Sequence, residues 1–175
     1  SWEKDYKPRY ATEILTPPIA PPPFIHSGKI DSGIFVTITG IPGLERLYSE
    51  ARVLGIKLYS NDIKTVTGSA WALPHIIPNQ STLFQFARSG WSSVWISMIS
   101  GTPLVVPDFD PKDDPEIYFN NLAVEKLGIG VVYRGQALSE ILKEIPRLKE
   151  NSKKICDAIR SRWSDAPNPL DGNKY

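Results

Sequence analysis

Four small residues crowd one turn of this chain. Ser89, Gly90, Ser92 and Ser93 fall in the run Phe86-Ala-Arg-Ser-Gly-Trp-Ser-Ser, just where apolar residues begin to recur at helical spacing. The first backbone N–H groups of a helix have no internal partner and attract anions. A glycine there lets an anion come close to the backbone, and the serines add hydroxyl donors. Together these residues read as a phosphate-binding corner.

A second polar group lies downstream. The loop from Asp108 to Glu116 carries Asp108, Asp110, Asp113, Asp114 and Glu116. Such a density of carboxylates either binds a hard cation, which wants oxygen ligands, or is a solvated acidic loop. EF-hand spacing is absent. With His26 and His75 the only histidines and Cys156 the only cysteine, a His-rich or Cys-based metal cluster and an internal disulfide are excluded. Cys156 is expected to be a free thiol on a helix face without a catalytic role.

The elements that must position these groups alternate. Gly33 to Gly40 is an apolar, β-branched run that suits a strand buried on both faces. It ends in a glycine-bearing loop, Thr39-Gly40-Ile-Pro-Gly43. Leu44, Leu47, Ala51 and Leu54 then recur at helical spacing, Gly55 closes that helix, and a strand follows over 56–59. Asn61 to Trp71 reads as short edge strands and loops, and Leu83 to Ala87 as a brief helix or strand. In the helix after Gly90, residues Trp91, Val94, Trp95, Met98 and Ile99 share an apolar face, with Ser92, Ser93 and Ser97 toward the other side. Gly101-Thr-Pro103 stops it, and strand 104–106 follows. Asp114 reads as an N-cap and Pro115 as the first residue of a helix that ends at Gly128. Strand 129–133 comes next. Leu138, Ile141, Leu142 and Ile145 then start a helix that Pro146 breaks or kinks. Leu148, Ile155, Ile159 and Trp163 extend a second one. Strands near 34–39, 56–59, 104–106 and 129–133 alternating with helices predict an open, mainly parallel α/β sheet.

At 175 residues the chain is long enough for one domain with a real core. Its formal charge of +1 points to no nucleic-acid partner. With no apolar run of membrane-spanning length and no signal peptide, a cytoplasmic location is expected. Thr16-Pro-Pro-Ile-Ala-Pro-Pro-Pro-Phe24 favours polyproline geometry, so residues 1–32 read as a proline-rich lead-in or interdomain linker. Residues 33–164 form the α/β domain and 165–175 a tail. The start at Ser1 suggests a fragment of a larger protein.

Several segments, taken in order and spacing, resemble the C-terminal, donor-binding half of GT-B glycosyltransferases. They are the Thr39-Gly40 loop, His75-Ile-Ile, Arg88-Ser-Gly90, Gly101-Thr-Pro103, Pro107 and Asn120-Asn-Leu-Ala-Val-Glu-Lys-Leu-Gly128. The likeness spans about Gly33 to Arg160. It is nearest in kind to the bacterial N-acetylglucosaminyltransferase that makes lipid II and the related cytosolic catalytic subunit of the two-subunit dolichol-linked enzyme. The resemblance implies a Rossmann-like open parallel sheet flanked by helices, with a nucleotide-sugar site. Thr39 and Gly40 would face the donor phosphates, and the backbone near Ile77 would read the nucleobase edge. Ser89 and Gly90 would form the corner, and Ser92 and Ser93 would touch the diphosphate. Arg88 stands where many relatives carry a phosphate-contacting His. Glu116 corresponds to the polar pair that holds the sugar hydroxyls, and Asn120, in the matching segment, joins the donor site.

The resemblance also implies transfer from a nucleotide diphosphate sugar, UDP-linked, with no cofactor and no metal. The catalytic base would lie in a missing N-terminal acceptor half or partner subunit, which would also supply any peripheral membrane contact. Two departures stand out. Relatives place a ribose-binding Glu one turn into the Ser-Gly helix, where this chain has Ile96. The stretch from Ile77 to Arg88 is also short, which leaves a strand expected to be missing before the corner. Two other readings remain open. One is a sugar-nucleotide epimerase of the same architecture, with Glu116 against the sugar ring. The other is a noncatalytic nucleotide-sugar-binding or partner-binding module, which Ile96 favours.

Overall fold

The computed structural model describes residues 10, 12, 28–37, 44–110, 112 and 114–162. Most of the proline-rich lead-in, the Thr39-Gly40 loop, Asp113 and the tail therefore lie outside the described residues. Within them the strands are β1 (Gly33–Thr37), β2 (Lys57–Ser60), β3 (Ala70–Trp71), β4 (Thr82–Ala87), β5 (Leu104–Pro107) and β6 (Gly130–Tyr133). The helices are α1 (Glu45–Val53), α2 (Trp91–Ser100), α3 (Pro115–Leu127) and α4 (Leu138–Arg162), with a 3-10 turn at Pro74–Ile76.

All neighbouring strands pair in parallel, in the order β3-β2-β1-β4-β5-β6. This is a Rossmann-like open sheet, and the strand order reverses between β1 and β4. Ligands in such sheets bind outside the carboxyl ends of the strands at that reversal. Alternation along the strands separates two faces. Ile34, Val36, Phe84, Phe86 and Val105 turn toward α1 and the first half of α4, packing with Leu47, Ala51, Ile141 and Leu148. Leu104, Val106 and Val132 turn the other way, against Val94, Met98, Val124 and Ile159. Phe35 packs on that second side with Tyr59, Ile76 and Ile77.

Three expectations change. The strand expected to be missing is present: β4 lies centrally, paired with both β1 and β5. The chain makes room for it with the compact Pro74–Ile76 turn, where Thr82 Oγ1 donates back to the Ile76 carbonyl at 2.7 Å. Pro146 does not end a helix either, for α4 runs unbroken through it. One lost N–H bond is outweighed by Ile141, Ile145 and Leu148, all buried on one stripe. Lastly, the apolar face of α2 is rotated from the predicted one. Val94, Ser97, Met98 and Ile99 are buried, whereas Trp91 is 59% exposed and stacks on half-buried Trp95 at 6.3 Å.

The helix ends follow the expected chemistry. Gly101 and Gly128 adopt left-handed φ of 70° and 65° at the C-caps of α2 and α3. Asp114 caps α3, its Oδ1 accepting from Ile117 N at 3.2 Å, with Pro115 behind it. Among the described residues, no helix is long and apolar enough to cross a membrane.

Candidate functional site

At the reversal point a pocket of about 480 Å³ opens at the carboxyl ends of β1 and β4. Its lining combines Thr37 from β1, Gln85 from β4, and Arg88 and Gly90 from the turn that follows. Ser92, Ser93 and Ile96 of α2, Pro74 and Ile77 of the 3-10 turn, and Asp114, Glu116 and Ile117 of the α3 N-terminus complete it. Four segments of the chain thus meet, three of them because β1, β4 and β5 are neighbours in the sheet.

The α2 N-terminus forms one wall. Gly90 is the N-cap and supplies no side-chain bond. The first helical hydrogen bond runs from Val94 N to Gly90 O at 3.1 Å. The N–H groups of Trp91, Ser92 and Ser93 therefore precede the helical ladder, which leaves positive partial charge beside the pocket. Ser92 is exposed and Ser93 half-buried, so both hydroxyls can reach a ligand.

Arg88 supplies the cation. Its Nη2 donates to Asp114 Oδ2 at 2.8 Å, and its guanidinium lies 4.9 Å from the Phe109 ring centroid. Asp114 therefore has two tasks, capping α3 with one oxygen and holding Arg88 over the pocket with the other. Opposite, Pro74, Ile77 and Ile96 give an apolar wall, and Ile96 packs against the Phe35–Ile77 cluster.

Six of the residues named from sequence line this pocket: Ile77, Arg88, Gly90, Ser92, Ser93 and Glu116. Thr39 and Gly40 lie outside the described residues. Ser89 and Asn120 are spent elsewhere. Ser89 is fully buried, its hydroxyl donating to Asn121 Oδ1 at 2.6 Å, with the Ile117 carbonyl as a second acceptor at 3.1 Å. Asn120 Nδ2 donates to the Ser89 carbonyl at 2.7 Å. Both tie the corner to α3 and neither lines the cavity. The Ile77 backbone is also engaged: its N–H donates to Pro74 O at 2.9 Å, and its carbonyl accepts from Thr102 Oγ1 at 2.6 Å. A base edge would meet the side chain of Ile77 rather than a free N–H.

Sequence reasoning passed over Thr37, Pro74, Gln85 and Ile117 as site residues, and it placed Asp114 as a cap and in the acidic loop but not beside Arg88. A polar residue inside the apolar run Leu83-Phe-Gln-Phe-Ala87 was the available signal for Gln85. The acidic loop resolves into separate contacts. Asp108 pairs with Arg134 at 3.4 Å, and Asp110 Oδ1 accepts from Lys112 N at 2.8 Å. Among the described residues, no group of His, Cys, Asp or Glu side chains converges as a metal site would.

Fold and pocket together define a Rossmann-like α/β domain with a pocket at the topological switch point. Solved GT-B glycosyltransferases share this fold. The chain superposes on the glycotransferase of kitacinnamycin with a TM-score of 0.59 and 14% identity, covering 83% of this chain and 43% of that one. For UGT2 of Phytolacca americana, complexed with UDP-2-fluoro-glucose and pterostilbene, the TM-score is 0.56 at 17% identity, covering 90% and 46%. A UDP-glucose: anthocyanidin 3-O-glucosyltransferase in complex with UDP gives 0.56 at 16%, covering 82% and 38%. This chain thus spans less than half the length of each. No family model matches the sequence. No curated protein matches it either.

Proposed function

We propose that this chain is the donor-binding part of a glycosyltransferase that uses a nucleotide diphosphate sugar, UDP-linked. The observation that carries the reading is the pocket's place, at the β1/β4 reversal with Gly90, Ser92 and Ser93 on its wall. A diphosphate seated there gains charge-assisted hydrogen bonds from Arg88 and the α2 N–H groups, each contributing about 1.5–3 kcal/mol. The same donors stabilise charge that builds on the departing diphosphate, and that is the catalytic contribution of this half. They make the site independent of a metal ion. The base that deprotonates the acceptor belongs to an N-terminal acceptor half or partner subunit. The likeness to lipid-II-forming enzymes adds to this proposal a peripheral membrane contact through that other half.

Ile96 in the pocket wall favours a second reading, a noncatalytic nucleotide-sugar-binding module. Turnover by the intact protein supports the transferase, and its absence supports the module.

Calorimetry with a panel of nucleoside diphosphates tests the site. UDP is expected to bind at about millimolar Kd, in EDTA as well as without it. The double variant Ser92→Ala with Ser93→Ala weakens binding, and Ile96→Glu strengthens it by restoring a ribose acceptor. Unchanged affinity in both variants, or no binding by any nucleoside diphosphate, would falsify the assignment.

A further inference from the structure

One buried polar chain in the pocket floor is not explained by packing. Gln85 is 3% exposed at the centre of the sheet, among phenylalanines. Burying an amide there is costly unless both of its ends are bonded. Both are. Ser97 Oγ, on the buried face of α2, donates to Gln85 Oε1 at 3.3 Å, and Gln85 Nε2 donates to Thr37 Oγ1 at 3.2 Å. Thr37 lines the pocket at the carboxyl end of β1. The direction of this chain matters. A threonine hydroxyl can donate or accept. Here its oxygen already accepts from Gln85, and no acceptor among the described residues takes its proton. The hydroxyl proton is left for whatever occupies the cavity.

We propose that Ser97 and Gln85 are positioning residues that turn the Thr37 hydroxyl proton into the cavity, where it donates to a phosphate oxygen of the bound nucleotide. The inference rests on the reading of the pocket as a nucleoside diphosphate site. A phosphate oxygen only accepts, so it matches a fixed donor. Thr37 thus adds a donor for the phosphate portion of the ligand from the carboxyl end of β1.

The test titrates UDP, inorganic pyrophosphate and uridine against the full chain and its variants, with melting temperatures to verify folding. Thr37→Val, which keeps the shape, is expected to weaken UDP and pyrophosphate about tenfold or more and leave uridine unchanged. Ser97→Ala, which touches no ligand, should weaken the same two ligands by about threefold to tenfold. Adding it to Thr37→Val should cost nothing further, because both act through one hydroxyl. If Ser97→Ala fails to fold, Gln85→Met replaces it with the same expected pattern. Wild-type affinity in Thr37→Val, or additive losses in the double variant, overturns this proposal and leaves the nucleotide reading standing. Should the wild-type chain bind neither UDP nor pyrophosphate, both fall together.

Discussion

At Gly90 the backbone φ is −62°, which any residue adopts, and a Cβ built there meets nothing within 4 Å. Neither strain nor crowding requires glycine at this position. What glycine provides is an open approach to the α2 N–H groups. Gly90→Ala should therefore change folding stability by no more than about 1 kcal/mol, as helix-cap and glycine substitutions do. Affinity for UDP should drop much further, measured by calorimetry beside a thermal melt. A matched loss of stability and affinity would show that Gly90 serves the fold instead. Single residues divide sharply in how legible they are. The small polar cluster announces a turn where a phosphate site is proposed, but which serine points outward depends on partners far along the chain. Ser89 is claimed by Asn121 and Ile117, whereas Ser92 is free to face the pocket. Gly130 gave no sequence signal, yet a Cβ there would collide with the Leu104 carbonyl oxygen and Val124. The β5–β6 pairing and the packing of α3 over it create that constraint.

Between elements, the contact that most depends on tertiary structure joins α1 to the start of α4. Glu50 Oε2 accepts from Leu138 N at 2.5 Å, while its other oxygen takes Arg46 Nε at 2.7 Å. The Leu138 N–H, then the Arg46 side chain, hold the Glu50 carboxyl below its ordinary pKa. A carboxylate depressed in the folded state stabilises it at and above the unfolded-state pKa. That contribution disappears as pH falls through the lower, folded value. Glu50→Ala should accordingly lower the melting temperature at pH 7, and the gap from wild type should close in strong acid. A gap that persists at pH 2 would attribute the effect to packing. No spacing rule pairs Glu50 with a helix 88 residues later. Local signals did far better where caps decide the element: Asp114-Pro115, Gly101 and Gly128 were all legible. The strand β4 was not, because a short apolar run suits a buried strand or a buried helix equally, and only its place between β1 and β5 decides.

Over the whole domain, α4 is the member that joins the two packing faces. Its first half puts Leu138, Ile141, Ile145 and Leu148 into the cluster under α1, and its last turns put Cys156 and Ile159 into the cluster with α2 and α3. Cys156 is buried, its Sγ donating to the Ile99 carbonyl at 3.6 Å, and burial pushes the thiol pKa up. A thiol reagent therefore reaches it only when that region opens, and its rate of attack reports the opening. Leu148 is fully buried in the other cluster, so Leu148→Ala should cost about 2–5 kcal/mol, as large-to-small changes in cores do. If the sheet and its two helical layers unfold as one unit, Cys156 labelling should accelerate by the same factor. For a loss near 3 kcal/mol that is about a hundredfold or more. The comparison needs denaturant unfolding and labelling on the same two proteins. A stability loss without faster labelling would mean that the last turns of α4 open separately from the core, and the single-unit account of the domain would be abandoned.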